Sequence, residues 1–150
     1  MTIMKYEIDN IDNIILSQLE MDSRITSSNL SRKLNIPRTT IQFRIKKLID
    51  NGIIKNFTIK KDFSKMGMDA SAFVLISYDP SSGINEKEVA KSIGDIEEVE
   101  SVDIISGEYD LLVKIRARNV REIGSIVVDR LHSIKGVSRT VTLSSFFSIK

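Results

Sequence analysis

The stretch "LSRKLNIPRTTIQFRIKKLIDNGII" (Leu30–Ile54) decides how the N-terminal part of this chain is read. It divides at Asn35-Ile36-Pro37 into two short amphipathic segments, the second rich in positive charge. Asn35 tolerates a left-handed backbone and so ends a helix sharply. Pro37 suits the first turn of a new helix, where its missing N–H would have no partner in any case. Gly52 is placed to stop that helix. At about 100° per residue, Ile41, Ile45, Leu48 and Ile49 gather on one side and are expected to be buried. Thr39, Thr40, Phe43, Lys46 and Lys47 lie opposite.

The segment before it is also helical in pattern. In "IDNIDNIILSQLEMD", Ile11, Ile14, Ile15 and Leu19 recur at helical spacing, with Asp9 as N-cap and Asp12 in the first turn, where the helix dipole favours a negative charge. Thr26 caps a brief second helix over about 27–34, and Ile25 and Leu30 hold the two positions of a hydrophobic staple. Two helices, a tight turn and an exposed mixed face describe a helix-turn-helix, in which the start of the second helix reaches base edges in the major groove. Arg38, Thr39, Thr40, Gln42, Phe43, Arg44, Lys46 and Lys47 are the candidate DNA-contacting residues. The threonines suit hydrogen bonds to bases or phosphates, Phe43 suits thymine methyls, and the basic residues suit phosphates. Phe43 has the alternative of packing against a neighbouring element. After Gly52, Ile54, Phe57 and Ile59 with intervening Lys and Thr predict a strand, with a bulge before Phe57, in the position of a wing.

Charge separates this module from the rest. Residues 1–61 carry 11 Lys+Arg against 6 Asp+Glu, a net of +5, whereas 62–150 carry 11 against 14, a net of −3. A basic block followed by an acidic one suggests two modules with different partners. The absence of cysteine excludes disulfides and thiolate metal sites. No apolar run approaches a membrane span, and the N-terminus lacks the pattern of a secretory signal, so a cytoplasmic protein is expected.

The second half repeats a strand–helix–strand order. "ASAFVLISYD" is a strand. "NEKEVAKSIG" is a helix with Asn85 as cap and Glu88 in the capping-box position. "VESVDIIS" and "YDLLVKIRA" are two strands joined at Ser106-Gly107-Glu108. "NVREIGSIVVDRLHSIKG" is a second helix with the same Asn-x-x-Glu start, and "VSRTVTLSSFFSI" is a last strand. The order βαββαβ is the ferredoxin-like plan. The fold class is therefore α+β: a winged helix-turn-helix over residues 1–60, a linker over 61–69, and a ferredoxin-like ligand-binding and dimerisation domain over 70–150. Phe73, Val74, Leu75 and Ile76 make both faces of the first strand apolar. The face without helices then needs a cover, for which a second copy is the simplest candidate.

The motifs "IDNIDNIILSQLEMDSRI", "LSRKLNIPRTTIQFRIKKLIDNGIIK" and "SGEYDLLVKI" together resemble the Lrp/AsnC family of feast/famine regulators. Pro37 stands where that family often has a capping serine, and Thr26-x-x-Asn29 where a fuller capping box is usual. The resemblance implies a transcription factor that binds a pseudo-palindromic duplex site. It implies homodimers built through the C-terminal sheets, often stacked into octamers, and a small effector, commonly an amino acid, between dimers. The effector is expected at the loop Gly107, Glu108, Tyr109 and Asp110, where backbone groups suit the charges of a free amino acid and Gly107 allows close approach. Asp110 either pairs with the ammonium or holds the loop by accepting backbone N–H bonds. Thr140, Thr142 and Ser144 are hydroxyl candidates for the pocket wall. No metal or cofactor is expected.

Two other readings belong to different classes. The architecture also resembles sirohaem decarboxylases, but those rely on histidines, and this chain has one, His132, near a helix end where it suits the dipole. No Gly-rich phosphate loop or HExxH is present in the sequence. A DNA-independent amino-acid sensor is the third class, and the basic helix argues against it.

Overall fold

A computed structural model describes residues 6–147. They form two compact units, one up to Lys60 and one from Lys61 onward.

The first unit is three helices, α1 (Asn10–Met21), α2 (Ser27–Leu34) and α3 (Arg38–Asp50). Each boundary has a local cause. Asp9 caps α1 in a reciprocal capping box with Asp12. Thr26 Oγ1 accepts the Asn29 N–H at the start of α2, and the staple closes with Leu30 buried and Ile25 packed beside it. Asn35 takes the left-handed conformation, φ 53° and ψ 43°. The turn is tied twice, by Ile36 N–H to Ser31 O and by the Ser31 hydroxyl to Ile36 O. Pro37 stands one residue earlier than expected, as the N-cap of α3, with no side-chain bond to the first turn. Gly52, at φ 69°, closes α3: its N–H donates to Ile49 O, and the Ile53 N–H donates to Leu48 O. That pair of bonds is a Schellman motif, and a side chain held at this φ would cost roughly 1–2 kcal/mol.

Ile15, Leu19, Leu30, Ile41 and Leu48 make the core of this unit. Burial of each such aliphatic side chain contributes about 1.5–3 kcal/mol toward holding the three helices together. Ile49 departs from the expected buried face and is 44% exposed, as is Ile14 at 39%. The seam of α3 runs through Ile41, Ile45 and Leu48 at i, i+4 and i+7, and Ile49 lies on its margin. The expected wing strand is not formed: residues 55–62 carry no strand. A strand needs a neighbour for its backbone groups. Ile59, meant for its inner side, is 80% exposed.

The second unit is the expected βαββαβ order: β1 (Ala70–Tyr78), α4 (Glu86–Gly94), β2 (Val99–Ile104), β3 (Leu111–Ala117), α5 (Val120–Ser125) and β4 (Val137–Ser145). The sheet order is β2-β3-β1-β4, with every pair antiparallel. A 3₁₀ turn at Ser64–Met66 precedes β1, within the stretch read as linker, and Phe63 there lies under the Arg116 guanidinium at 4.5 Å. The last helix is not uniform: α5 continues as a π-helical turn over Ile126–Leu131. Asn85 caps α4 through the Lys87 N–H, one residue short of the capping-box position. Asn119 caps α5 through the Glu122 N–H, while the Glu122 carboxylate reaches back to the Arg118 N–H. Residues 148 and 149 of the expected last strand lie outside the described residues.

Alternation sorts the sheet into two faces. Ala72, Val74 and Ile76 of β1 and Leu111, Val113 and Ile115 of β3 are fully buried, in one core with Val89, Ile93, Ile123 and Leu131 of the helices. The opposite face presents Phe73 and Leu75 of β1, Leu112 of β3, and Val141 and Leu143 of β4, in register with one another. Phe73 and Leu143 are 38% and 50% exposed. At its margin Glu100 pairs with Arg116 and, at 3.0 Å, with Lys114. Burial pushes the Glu100 carboxyl up, but the bonds from Arg116 and Lys114 outweigh it and hold the group below its ordinary value. Among the described residues, no helix is long and apolar enough to cross a membrane.

Candidate nucleic-acid interface and ligand loop

The outward side of α3 carries most of the residues expected to meet DNA. Arg38, Thr39, Gln42, Phe43, Lys46 and Lys47 are exposed, and Thr40 is half-buried. Phe43 is 59% exposed, so its packing alternative is not realised within this unit. The Lys47 ammonium lies over the Phe43 ring at 5.0 Å and the Tyr6 ring at 5.7 Å. Lys46 makes an exposed i, i+4 pair with Asp50 at 2.7 Å, a contact worth a few tenths of a kcal/mol at most. Such a bond is readily exchanged for a phosphate.

Arg44 is placed differently from the other seven. It falls at i+3 from Ile41, inside the buried seam rather than opposite it, and its side chain is 22% exposed. Its Nη1 donates to Asp9 Oδ2 at 2.6 Å and to Asp12 Oδ1 at 2.9 Å. Asp12 is 1% exposed. Its Oδ2 accepts from the Tyr6 hydroxyl at 2.9 Å and from the Asp9 N–H at 3.2 Å. The bond to Asp12 pushes the Tyr6 phenol above its ordinary value, so it stays protonated as the donor. The Asp12 backbone N–H, and then Arg44, hold the Asp9 carboxyl below its ordinary value. For a carboxyl lowered by folding, the stabilisation is present above its unfolded pKa and is lost as pH falls through the folded one. The contribution of Asp9 is therefore present at neutral pH and is lost as pH falls through its lowered folded value.

The loop expected from the sequence to meet a ligand follows β2. Asp110 is woven into the sheet: its N–H donates to Ile76 O at 3.0 Å, its carbonyl accepts from the Ile105 N–H at 2.8 Å, and its Oδ2 accepts from the Tyr78 N–H at 2.8 Å. Of the two roles open to Asp110, this is the loop-holding one. Gly107, at φ 146°, and Glu108 are exposed at the tip. Tyr109 is half-buried, with the Arg139 guanidinium over its ring at 5.5 Å. Arg139 and Tyr78 are not among the residues expected from the sequence; they reach the loop because β1 lies between β3 and β4, a tertiary fact with no local signal.

The hydroxyls expected for the pocket wall are arranged otherwise. Thr140, Thr142 and Ser144 pair with Ile76, Val74 and Ala72, so they point to the helix side of the sheet. Thr140 Oγ1 is bonded to His132 Nε2 at 2.8 Å. Thr142 pairs with Val74, two residues back along β1 from Ile76, where Asp110 is fastened. The loop and these threonines thus lie on opposite sides of β1, and Thr142 is not brought to the loop.

Comparison with known proteins bears on both halves. The model of the Lrp/AsnC ligand-binding domain matches residues 71–150, and that of a winged helix-turn-helix DNA-binding domain matches residues 8–55. An HTH-type transcriptional regulator of Pyrococcus furiosus is 48% identical over 143 residues, 95% of either chain. The structure of Escherichia coli AsnC superposes with a TM-score of 0.85 at 23% identity, covering 97% of this chain and 96% of that one. A Neisseria meningitidis transcriptional regulator solved with L-Met superposes with a TM-score of 0.87 at 24% identity, covering 96% and 93%.

The fastening of the loop makes a prediction. Asp110→Ala leaves the Tyr78 N–H without its partner and should destabilise the unliganded protein by about 1.5–3 kcal/mol, the worth of a hydrogen bond to a charged group. Asp110→Asn, which keeps an acceptor, should lose less. Thermal melting measures both. An unchanged melting temperature for Asp110→Ala would show that the loop does not depend on this bond.

Proposed function

Because the chain belongs to the Lrp/AsnC family of transcriptional regulators, we propose that its DNA contacts, assembly and effector response follow from the three surfaces described above. It is a regulator with a DNA-binding helix-turn-helix and a ligand-binding domain. The observation that carries the finer reading is the division of α3 into a buried aliphatic seam and an exposed face of hydroxyl, amide, aromatic and ammonium groups. Thr39, Thr40, Gln42 and Phe43 read base edges, while Arg38, Lys46 and Lys47 neutralise phosphates. Arg44 is left out of this set because two carboxylates already hold it.

The open sheet face supports a homodimer. Phe73, Leu75, Leu112, Val141 and Leu143 form an apolar surface that a second copy covers. Two recognition helices then enter successive major grooves, about 34 Å apart, of a pseudo-palindromic site. Stacking of dimers into octamers follows the same family pattern.

The effector is an amino acid at the loop of Gly107, Glu108 and Tyr109. Exposed backbone groups there suit an ammonium, and the Arg139 guanidinium over Tyr109 suits a carboxylate. The L-Met in the Neisseria relative supports this class of ligand.

Three measurements test these readings. Replacing Lys46 and Lys47 together with alanine should weaken binding to every duplex, and flatten the salt dependence by about 0.9 in slope for each phosphate no longer neutralised. Unchanged affinity and slope would remove α3 from the interface. Light scattering should find a dimer or a multiple of it at micromolar concentration, and a soluble monomer would remove both the dimer and the palindromic site. A thermal-shift screen of the twenty amino acids should raise the melting temperature with at least one, by about 2.7 kcal/mol of stabilisation at a hundredfold excess over Kd. Arg139→Ala should abolish that shift; a full shift in the variant would place the ligand elsewhere.

A further inference from the structure

The contact of Arg44 with Asp9 and Asp12 has a feature that packing alone does not require. Arg44 and Asp12 both occupy positions in apolar seams. On α3, Ile41, Arg44, Ile45 and Leu48 fall at i, i+3, i+4 and i+7; on α1, Asp12, Ile15 and Leu19 fall at i, i+3 and i+7. An aliphatic pair in those positions would bury more simply, since a buried ion pair is often no more stabilising than hydrophobes of similar volume. What an ion pair supplies is direction. Contacts among Ile41, Leu48, Ile15 and Leu19 are non-directional and tolerate some roll of α3 about its own axis. The Arg44 bonds do not. One nitrogen, Nη1, reaches both carboxylates, and each of them is fixed in turn: Asp12 by Tyr6 and the Asp9 N–H, Asp9 Oδ1 by the Asp12 N–H. Phe43, on the outward side, sits one residue from Arg44, so a roll that moved Arg44 would sweep the DNA-facing residues through the same angle.

We propose that Asp9, Asp12 and Arg44 are positioning residues for sequence-specific DNA binding: they set the roll of α3 so that Thr39, Gln42 and Phe43 meet base edges in register. The proposal rests on the reading of α3 as the recognition helix. It has a consequence that simple electrostatics opposes. Taking a negative charge away from a DNA-binding unit should strengthen binding to all DNA. If the carboxylates position the helix, their neutralisation instead weakens binding to the preferred site alone.

The test uses the full-length protein and two duplexes of equal length: one selected by the wild-type protein from a randomised pool, the other an unselected sequence. Asp9→Asn keeps an acceptor for the cap while removing the charge, and Asp12→Asn does the same in the buried position. Each should lower affinity for the selected duplex by roughly tenfold or more, the worth of one base contact, with affinity for the unselected duplex unchanged or higher. Arg44→Lys, which keeps the charge but whose Nζ falls about one bond short of the place of Nη1, should also lose preference. Asp50→Asn removes the same charge from the exposed end of α3 and should leave the preference intact. Circular dichroism and melting establish that each variant is folded at the assay temperature; if Asp12→Asn is not, the half-exposed Asp9→Asn decides. Undiminished preference in Asp9→Asn and Asp12→Asn overturns the proposal. So does an Arg44→Gln variant that weakens both duplexes equally and flattens the salt slope, which would make Arg44 a phosphate contact. A wild-type protein that selects no sequence overturns the recognition-helix reading itself, and the proposal with it.

Discussion

The Arg44 guanidinium, bonded to Asp9 and Asp12, joins the two ends of the charge pattern in the N-terminal unit. Residues 31–61 are strongly basic, yet the helix carrying much of that charge must pack against a neighbour. The apolar seam of Ile41, Ile45 and Leu48 supplies adhesion, and the buried Asp12 supplies a partner for the one cation that falls within the seam. The remaining cations of α3, Arg38, Lys46 and Lys47, are thereby kept on the outer face. A single helix can be both a core element and a polyelectrolyte ligand only when its charges are sorted in this way, since an unpartnered charge in the seam would cost several kcal/mol.

The C-terminal unit solves a different problem with the same economy of parts. The loop between β2 and β3 has an exposed glycine at the tip, which by itself would leave it loosely held. Asp110 fastens it to β1 through both backbone and side chain, at Ile76 and Tyr78. Tyr109 is turned toward Arg139 of β4, on the far side of β1. A small ligand meeting this loop therefore meets three strands of the sheet at once. Arg139 pairs with Ser77 in the same parity as Val141 with Leu75, so its face of the sheet also carries the apolar stripe from Leu112 through Leu75 to Val141. A ligand at this loop and a second copy on the stripe would therefore share one face of the sheet, with Arg139 between them.

What the sequence discloses, and what it withholds, divides along the range of the interactions. The caps at Asp9, Thr26 and Asn119, the left-handed Asn35 and the stop at Gly52 depend on neighbours within a few residues, and all are legible. The βαββαβ order is legible because each element has its own period and punctuation. The sequence puts Arg44 among the DNA contacts because the partners that hold it lie 32 and 35 residues away; the one local signal against that reading is its place at i+3 from Ile41, within the seam. That Thr140 and Thr142 face the helix side is not legible in the sequence, because the side a strand residue faces is fixed by parity with β1, and a hydroxyl looks the same on either side. The wing strand is expected and not formed because alternation marks a strand's faces without supplying the neighbour that its backbone requires. The π-helical turn at Ile126–Leu131 has no residue in it that announces a change of helical register.

A position for the outer face of α3 in the major groove can be mapped chemically. The chain contains no cysteine, so a single cysteine introduced at a chosen position carries a cleavage or cross-linking reagent without competing labels. The most direct measurement attaches such a reagent in turn at Thr39 and Lys47 on α3 and at Gln18 on α1, then maps the sites of reaction on bound duplex. Strong reaction is expected from position 39 at bases in the major groove, reaction from position 47 nearer the backbone, and little from position 18. Reaction confined to position 18, with none from α3, would contradict that placement.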